Sequence, residues 1–351
     1  MGGGSAPPPA RTALEPRTSF LSRRINQSTF LIIEDDNYRE QPYIYVKIFP
    51  DHLLITDTGC HNPRKEGLSV TGLREYLEIF PIPANSHLPL NPKGIKKYII
   101  ICSHCHYDHI LGIPQFSSAH PTIIASNFNK DFLRHDFSKH SLCKYNDAPT
   151  PSYAISHWAS NLEYFSMNGT PFRIQFLHVP GHTPDSLAWY DIDEHHLYVG
   201  DTFYERARAE PIPSLPDGPG PIIPRLPEAR GAIIFPVDGN LIHFMSSLDL
   251  LLSFVTFRNL ELERQGPCDD GHVTRRVKVG CGHLTHAADA EEMIVEVRQL
   301  FQRLIAGKVP VIGSETVRGV VNDFWLDGED ARYSVKAPRF LAEEARKHFP
   351  P

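Results

Sequence analysis

The feature that most constrains this chain is a run of potential metal ligands, SHCHYDH at 103–109, directly after an apolar stretch. The apolar stretch predicts a strand, and residues two apart in extended backbone project to the same side. His104 and His106 can therefore approach one metal ion, and a turn after them can direct Asp108 and His109 to a second. Four such side chains within six residues predict a metal site, and a His-rich surface loop is the alternative.

Three more potential ligands follow predicted strands further along the chain. His182 ends the sequence VPGH, Asp201 follows Val-Gly, and His283 ends the sequence GCGH. Taken singly, such a histidine is more often structural, and such an aspartate is more often a turn former or a helix cap. Together they occur in the chain order and at the strand ends expected when ligands lie on loops along one edge of a sheet.

Short apolar runs bounded by turn residues predict strands, and two segments with apolar residues at helical spacing predict helices. The strands are expected at 29–33, 43–49, 53–56, 98–102, 122–126, 172–179, 187–191, 197–200, 232–235 and 276–281, and the helices at 246–265 and 289–306. A meander of early strands, followed by strands interleaved with helices, predicts a layered α/β protein.

Two segments lack the patterns of regular structure. Residues 1–24 are rich in Gly and Pro and have few apolar side chains, which predicts a disordered tail. Residues 206–230 contain seven prolines, which exclude a helix or a central strand and predict an unusually long loop. The remaining chain, 25–351, is expected to form one domain that carries this loop and ends in a helical extension.

The charge and hydropathy of the sequence limit the kinds of partner that this protein is expected to bind. A formal charge of −6 provides no basic field for nucleic acid or acidic lipid, so we expect neither nucleic acid nor a membrane as a partner. No run reaches the roughly 18 consecutive apolar residues of a membrane span, and the start lacks the apolar core of a signal peptide. We therefore expect a cytoplasmic protein with reduced cysteines and a small-molecule substrate. The oligomeric state stays open.

The motifs resemble those of the metallo-β-lactamase-fold hydrolase superfamily, over roughly residues 29–290. The matching positions are Asp57, the cluster at 103–109, His182, Asp201 and His283. The resemblance implies a four-layer αβ/βα sandwich, with two sheets packed face to face and helices outside. It also implies two metal sites, formed by His104, His106 and His182, by Asp108, His109 and His283, and by Asp201 as a bridge between them. Asp57 would either support the site or form a plain turn.

Finer resemblances concern the reaction. The cluster at 103–109, and Tyr204 three residues after Asp201, are similar to quorum-quenching lactonases, where such a tyrosine helps to polarise the substrate carbonyl. The chain is also similar overall to fungal lactamase-type hydrolases that detoxify cyclic plant carbamates and lactams. The resemblance implies a hydrolase with two Zn²⁺ per chain, whose bridging hydroxide opens a lactone, lactam or cyclic carbamate. Asp108 would pass a proton to the leaving group, and Tyr204 would either stabilise the oxyanion or be a packed aromatic.

Several alternatives stay open. Within the superfamily, thioesterases of the glyoxalase-II type and mononuclear iron persulfide dioxygenases use similar clusters. The spacing of Cys102 and Cys105 matches redox motifs, although extended backbone would point the two thiols to opposite faces. His286 is an alternative ligand to His283. A binding protein built on an inactive form of the fold would lack a ligand, and in this sequence none is missing.

Overall fold

The structure is a computed structural model that describes residues 17–206, 231–265 and 275–349. Its first sheet has seven strands in chain order: β1 Phe20–Arg24, β2 Thr29–Glu34, β3 Tyr43–Ile48, β4 His52–Thr56, β5 Lys97–Ile101, β6 Thr122–Ser126 and β7 His157–Ala159. The first four strands form an antiparallel meander, and β4 to β7 run parallel.

The second sheet has six strands in the order β14-β13-β11-β10-β9-β8. They are β8 Tyr164–Met167, β9 Thr170–His178, β10 Leu187–Asp191, β11 His196–Tyr198, β13 Lys278–Gly280 and β14 Ala288–Asp289. A third sheet of four strands has the order β12-β17-β16-β15. It contains β12 Ile233–Ile234, β15 Val311–Val317, β16 Val320–Leu326 and β17 Ser334–Pro338.

The α-helices among the described residues are α1 Leu73–Ile79, α2 Tyr107–Ile110, α3 Lys130–Arg134, α4 Phe137–His140, α5 Leu241–Arg264, α6 Ala290–Ile305 and α7 Arg339–His348. Of the two predicted helices, α6 agrees closely with its expected bounds, and α5 begins earlier than the predicted residue 246. The earlier start has a local cause, because the Asn240 side chain accepts hydrogen bonds from the backbone N–H groups of Ile242 and His243.

The hydrophobic cores define four layers. Between the two larger sheets, Leu54 and Ile99 of the first sheet pack with Phe176 and Trp189 of the second. The outer face of the first sheet packs against α1, and the outer face of the second packs against α5 and α6. Helix α7 packs against these two helices and against β16 and β17 of the third sheet. All six residues of β2 are buried, as expected for a strand that is covered on both faces. Helix, sheet, sheet, helix is the αβ/βα sandwich, so the predicted fold class is confirmed.

Two predictions about the ends of the chain are wrong in part. The tail predicted through residue 24 ends earlier, because β1 pairs with β2 and Phe20 packs on Tyr76 with ring centroids 5.0 Å apart. The C-terminal extension is not only helical, because β15, β16 and β17 precede α7. Residues 1–16 of the predicted tail and 207–230 of the predicted proline-rich loop lie outside the described residues.

One helix among the described residues, α5, is long and apolar enough to cross a membrane, with a mean hydropathy of 1.3. In the structure, 39% of the apolar 18-residue stretch of this helix is buried inside the protein. Leu248 and Leu251 of α5 lie in the core beneath the second sheet. The core helix of a globular domain has the same length and composition, so this finding alone is weak evidence for a membrane span.

Candidate metal centre

All the predicted ligands lie at one edge of the sandwich, because each follows the carboxyl end of a strand. Residue 57 follows β4, and the cluster at 103–109 follows β5, which runs parallel to β4. His182 follows β9, Asp201 follows β11 and His283 follows β13. The strands β9 and β11 are both antiparallel to β10, and β11 is parallel to β13, so these three strands end at the same edge.

The cluster changes direction where the sequence predicted a turn. His106 has extended backbone angles and is the N-cap of the single-turn helix α2. His104 and His106 therefore lie on the strand side of this boundary, whereas Asp108 and His109 belong to the helical turn. The change divides the four side chains between two neighbouring groups.

The first group consists of His104, His106 and His182. One ring nitrogen from each lies within 4.8 Å of the others, and all three residues are buried. His182 Nε2 lies 3.1 Å from His106 Nδ1. Three imidazole nitrogens that converge in this way form a ligand set suited to a transition metal such as zinc.

The second group consists of Asp108, His109, Asp201 and His283, and its ligand atoms also lie within 4.8 Å of one another. His109 Nε2 is 3.2 Å from Asp108 Oδ2, and His283 Nε2 is 3.4 Å from Asp201 Oδ2. The two groups are adjacent, because the ring centroids of His104 and His109 are 4.2 Å apart. Asp201 lies in the second group, and the bridging role that the resemblance implies for it stays a prediction.

Backbone carbonyls orient the rings of two histidines through contacts with their Nδ1 atoms. His182 Nδ1 lies 2.7 Å from the carbonyl oxygen of Ile234, and His283 Nδ1 lies 3.0 Å from that of Glu40. A histidine that donates its outer N–H to a carbonyl presents its other nitrogen in the neutral, ligating form. Both histidines therefore direct Nε2 toward their groups. Sequence reasoning could not find Ile234 and Glu40, because any residue type supplies a carbonyl.

Asp57 supports both groups. Its carboxylate accepts hydrogen bonds from the backbone N–H of Ser103 at 2.8 Å and from the Ser103 hydroxyl at 2.7 Å. It also lies 2.9 Å from His109 Nδ1, and Ser103 Oγ in turn lies 3.0 Å from His104 Nδ1. Asp57 thus orients one histidine directly and another through Ser103. Of the two roles left open by the sequence, the geometry favours support of the site over a plain turn.

Unpaired buried atoms show that the two groups fit cations. His104 Nε2 is buried and has neither a hydrogen-bond nor an ion-pair partner among the described residues, whereas His109 Nε2 and Asp201 Oδ1 are buried and make ion-pair contacts but no hydrogen bond. Buried polar atoms are nearly always paired, so orphaned atoms need a ligand that the protein itself does not supply. These three atoms, two imidazole nitrogens and one carboxylate oxygen, belong to the two groups and are of the types that coordinate Zn²⁺.

Burial sets the protonation of the first group. It lowers the pKa of His104 well below its usual range, with a further contribution from the neighbouring histidines. It likewise lowers the pKa of His106 to about 3 and lowers that of His182. A charged imidazole is costly in a buried site among other histidines. The first group is therefore neutral near neutral pH, which is the form that binds metal.

The second group holds its charges as ion pairs. Burial alone would raise the pKa of Asp108 and Asp201, yet the contacts with His109 and His283 hold both well below the usual range. Burial alone would lower the pKa of the two histidines, yet the carboxylates raise that of His283 to about 10 and that of His109 well above its usual value. The raised pKa values favour the protonated form of both histidines near neutral pH, and a cation that binds here would displace these protons.

The two groups should therefore release different numbers of protons when they bind metal. Near neutral pH, a cation entering the second group displaces protons from His109 and His283, roughly one to two in total, whereas the first group has none to lose. Because the raised pKa values lie above neutral pH, affinity at the second group should rise as the pH is raised toward about 10. Zinc calorimetry in buffers of different ionisation enthalpy measures this difference, and equal proton release in both steps would contradict it.

Asp57→Asn should weaken both metal groups without unfolding the protein. Asn tolerates the left-handed backbone at this position, where φ is +62°, but its amide nitrogen would face the donors Ser103 and His109. Loss of such an outer partner typically costs about 10- to 100-fold in metal affinity. Competition with a chelator checks the affinity. Asp51→Asn, at the exposed turn before β4, is the control, and equal affinity in both variants would contradict the role of Asp57.

A cavity of about 450 Å³ opens onto the metal groups. His106, Asp108, His182, Asp201 and His283 contribute to its wall, so both groups face it. Tyr204 also lines the cavity, and its ring centroid is 5.6 Å from that of His283. Of the two residues that the sequence proposed as catalytic, Asp108 is a member of the second group and Tyr204 lies beside it.

The alternatives from the sequence lie elsewhere. His286 is within 2.7 Å of the Arg23 guanidinium and belongs to neither metal group. Cys102 and Cys105 are buried free thiols. Burial raises the pKa of both thiols, so neither resembles a reactive redox cysteine.

The sequence matches a known protein family and a protein of a fungus. The sequence model of the family described as "Metallo-beta-lactamase superfamily" matches residues 38–267. A protein of Aspergillus versicolor named "Putative transcription factor avaE" is 29% identical over 339 residues, which cover 94% of this chain and 89% of that protein.

Similar solved structures include two members of the same family. An archaeal metallo-beta-lactamase superfamily protein from Sulfolobus tokodaii is 14% identical, with 79% of this chain and 86% of that chain covered and a TM-score of 0.48. A metallo-beta-lactamase from Pontibacter korlensis is 13% identical, with 81% of this chain and 99% of that chain covered and a TM-score of 0.46.

The family match spans more than half of the chain and includes the cluster at 103–109, His182 and Asp201. His283 lies beyond the matched residues, and the structure brings it into the second group. The chain belongs to the metallo-beta-lactamase superfamily, and its two groups of His and Asp side chains are the metal-binding groups typical of that family.

Proposed function

We propose that this protein is a zinc-dependent hydrolase that binds two Zn²⁺ ions and opens a small cyclic ester, amide or carbamate. The observation that carries the proposal is the pair of adjacent ligand groups, with orphaned donor atoms, at the wall of a cavity. A pocket of about 450 Å³ is within the range of roughly 300–1,000 Å³ that holds small ligands.

The reaction is addition of water across the acyl bond of the ring. The acyl carbon gains an oxygen, the bond from that carbon to the ring oxygen or nitrogen breaks, and the ring heteroatom takes a proton. When bound, two Zn²⁺ ions would supply an activated water and electrostatic stabilisation of the oxyanion. The protein's part is to orient four of the seven ligand side chains through the contacts of Asp57, Ser103, Ile234 and Glu40.

In this proposal Asp108 handles the proton. It lines the cavity, and its Oδ2 lies 3.2 Å from His109 Nε2 and 3.3 Å from His283 Nε2. A carboxylate within reach of the acyl group can accept a proton from the attacking water and deliver it to the ring heteroatom. In a lactone or lactam this leaving atom stays tethered to the product, so it remains beside Asp108 until the proton arrives.

Tyr204 is the second group proposed to act on the substrate. It is buried, lines the cavity and lies against His283. A phenol at this place can donate a hydrogen bond to the substrate carbonyl oxygen, where negative charge develops in the transition state. Tyr204→Phe removes this donor and keeps the ring.

The cavity wall favours a small apolar substrate over a polymer. Leu142, Ile234, Val237, Val317 and Val320 contribute apolar side chains to it. The name of the Aspergillus versicolor relative refers to transcription, but the formal charge of −6 here offers little attraction to nucleic acid. We therefore propose a small molecule as the partner.

A panel of lactones, lactams, cyclic carbamates and thioesters, assayed with zinc-loaded protein, tests the proposal. We expect ring opening of at least one cyclic class and about two zinc ions per chain by elemental analysis. His106→Ala removes one member of the first group and should abolish this turnover while the protein stays folded. Turnover of thioesters alone would show that the substrate is a thioester and not a cyclic ester, amide or carbamate. One iron per chain together with uptake of O₂ would contradict the proposal that the protein is a hydrolase.

A further inference from the structure

One wall of the cavity comes from a part of the chain outside the family match. The hairpin of β15 and β16 lies at 311–326, beyond residue 267, where the match ends. Its turn contributes Val317, Arg318 and Val320 to the cavity wall. This hairpin therefore lies outside the family match and forms part of the wall of the cavity that opens onto the metal groups.

The turn holds an arginine in a backbone conformation that arginine rarely adopts. Val317 pairs with Val320, and between them Arg318 and Gly319 have φ values of +54° and +79°. A two-residue turn with both φ values positive normally uses Asn, Asp or Gly, because a Cβ is disfavoured there. Because arginine is disfavoured in this backbone conformation, its presence here indicates a role for its side chain.

The Arg318 side chain reaches across to another wall of the cavity. Its guanidinium carbon lies 3.6 Å from the ring centroid of Tyr145, which follows α4 and also lines the cavity. Stacking on the ring occupies one face of the planar guanidinium and leaves its N–H groups, which lie in the plane, available to an acceptor. The contact fixes the cation without neutralising it.

Arg318 and Lys139 are the cavity cations that lack an acidic partner within residues 17–206, 231–265 and 275–349. The third cation of the wall, Lys336, is paired with Glu315 at 2.5 Å. The nearby carboxylate of Asp238 lies 2.8 Å from His140 Nδ1. The carboxylates of the cavity wall, on Glu40, Asp108, Asp201 and Asp238, contact tyrosine or histidine side chains. The wall thus also carries two positive charges, on Arg318 and Lys139, that no carboxylate among the described residues contacts.

We infer that Arg318, together with Lys139, binds a carboxylate on the substrate. The inference rests on the proposed function and narrows its substrate class to a small apolar cyclic ester, amide or carbamate that bears an acidic group away from the bond to be hydrolysed. A guanidinium with its in-plane N–H groups free matches the two oxygens of a carboxylate. Lys139 contributes a point charge from the neighbouring wall.

Matched pairs of substrates test the inference. Each neutral ring of the panel is paired with its carboxylated derivative, for example phthalide with 5-carboxyphthalide, and kcat/KM is measured for both. Wild type should prefer the carboxylated member. Arg318→Gln should lower kcat/KM for that member by about tenfold, mainly through KM, and leave the neutral member within about twofold. Arg318→Glu should reverse the preference, and added salt should weaken it in wild type.

Arg134→Gln is the matched control. Arg134 also lies over an aromatic ring, with its guanidinium carbon 5.6 Å from the Trp158 centroid, but it does not line the cavity. This variant should keep the wild-type preference. An equal loss on both members in Arg318→Gln, or a wild type without charge preference, would overturn the inference while hydrolysis stands. Turnover of no pair by wild type would instead overturn the proposed function.

Discussion

Asp201→Ala should abolish turnover and remove one metal ion from the protein. Asp201 faces both histidines of the second group, with Oδ1 3.5 Å from His109 Nε2 and Oδ2 3.4 Å from His283 Nε2. Without it, Asp108 is the one carboxylate left in that group. We expect kcat/KM to fall by at least about 10³-fold, equivalent to about 4 kcal/mol of transition-state stabilisation. Elemental analysis and kinetics on the same preparation check both effects.

The control is Asp193→Ala, which removes an exposed carboxylate between β10 and β11 that pairs with Arg173. A surface ion pair contributes only about 0–1 kcal/mol, so this variant should keep its metal, its activity and its melting temperature. A circular dichroism spectrum like that of wild type would show that Asp201→Ala is folded. Full activity of folded Asp201→Ala would contradict the assignment of the second group.

The sequence was sufficient to predict the candidate ligands because they follow a physical rule. Loops at the carboxyl ends of β5, β9, β11 and β13 meet at one edge, so ligand-type residues directly after apolar runs are brought together. The apolar runs themselves were readable because strands covered on both faces, such as β2, are continuously hydrophobic. The layered α/β class followed from the order of these runs, whereas the four-layer sandwich and the division of the seven ligands between two groups were implied by the resemblance to the metallo-β-lactamase-fold hydrolases.

Features that depend on tertiary contacts were not predictable in this way. β15 is exposed along its whole length and lacks a continuous apolar run, so its pairing with β16 was missed. The positions of Arg318 and Tyr145 depend on how the hairpin and the segment after α4 approach each other, and their sequence separation hides the contact. Strand β1 was missed because its stability comes from pairing with β2 rather than from its own composition.

Gly282→Ala should disrupt the second metal group through a single methyl group. A Cβ at this position would come closer to Asp201 Oδ1 than real Cβ atoms approach any neighbour, and it would lie 3.0 Å from His109 Cε1, a tight contact. The backbone cannot easily move away, because the Gly282 N–H donates to the Gly200 carbonyl at 2.7 Å and its own carbonyl accepts from the Tyr43 N–H at 2.7 Å. The Asp201 carboxylate must therefore rotate out of the group.

Such overpacking costs about 1–3 kcal/mol of stability, but the larger effect should be on the metal. We expect Gly282→Ala to retain the first metal ion, to lose the second and to lower kcat/KM by at least about 10²-fold. Gly313→Ala is the control, because a Cβ there would meet no atom within 4 Å. Binding of two zinc ions by Gly282→Ala with wild-type affinity would contradict the position of Asp201 as a metal ligand next to this glycine. The variant thus tests the geometry of the centre without changing any ligand residue.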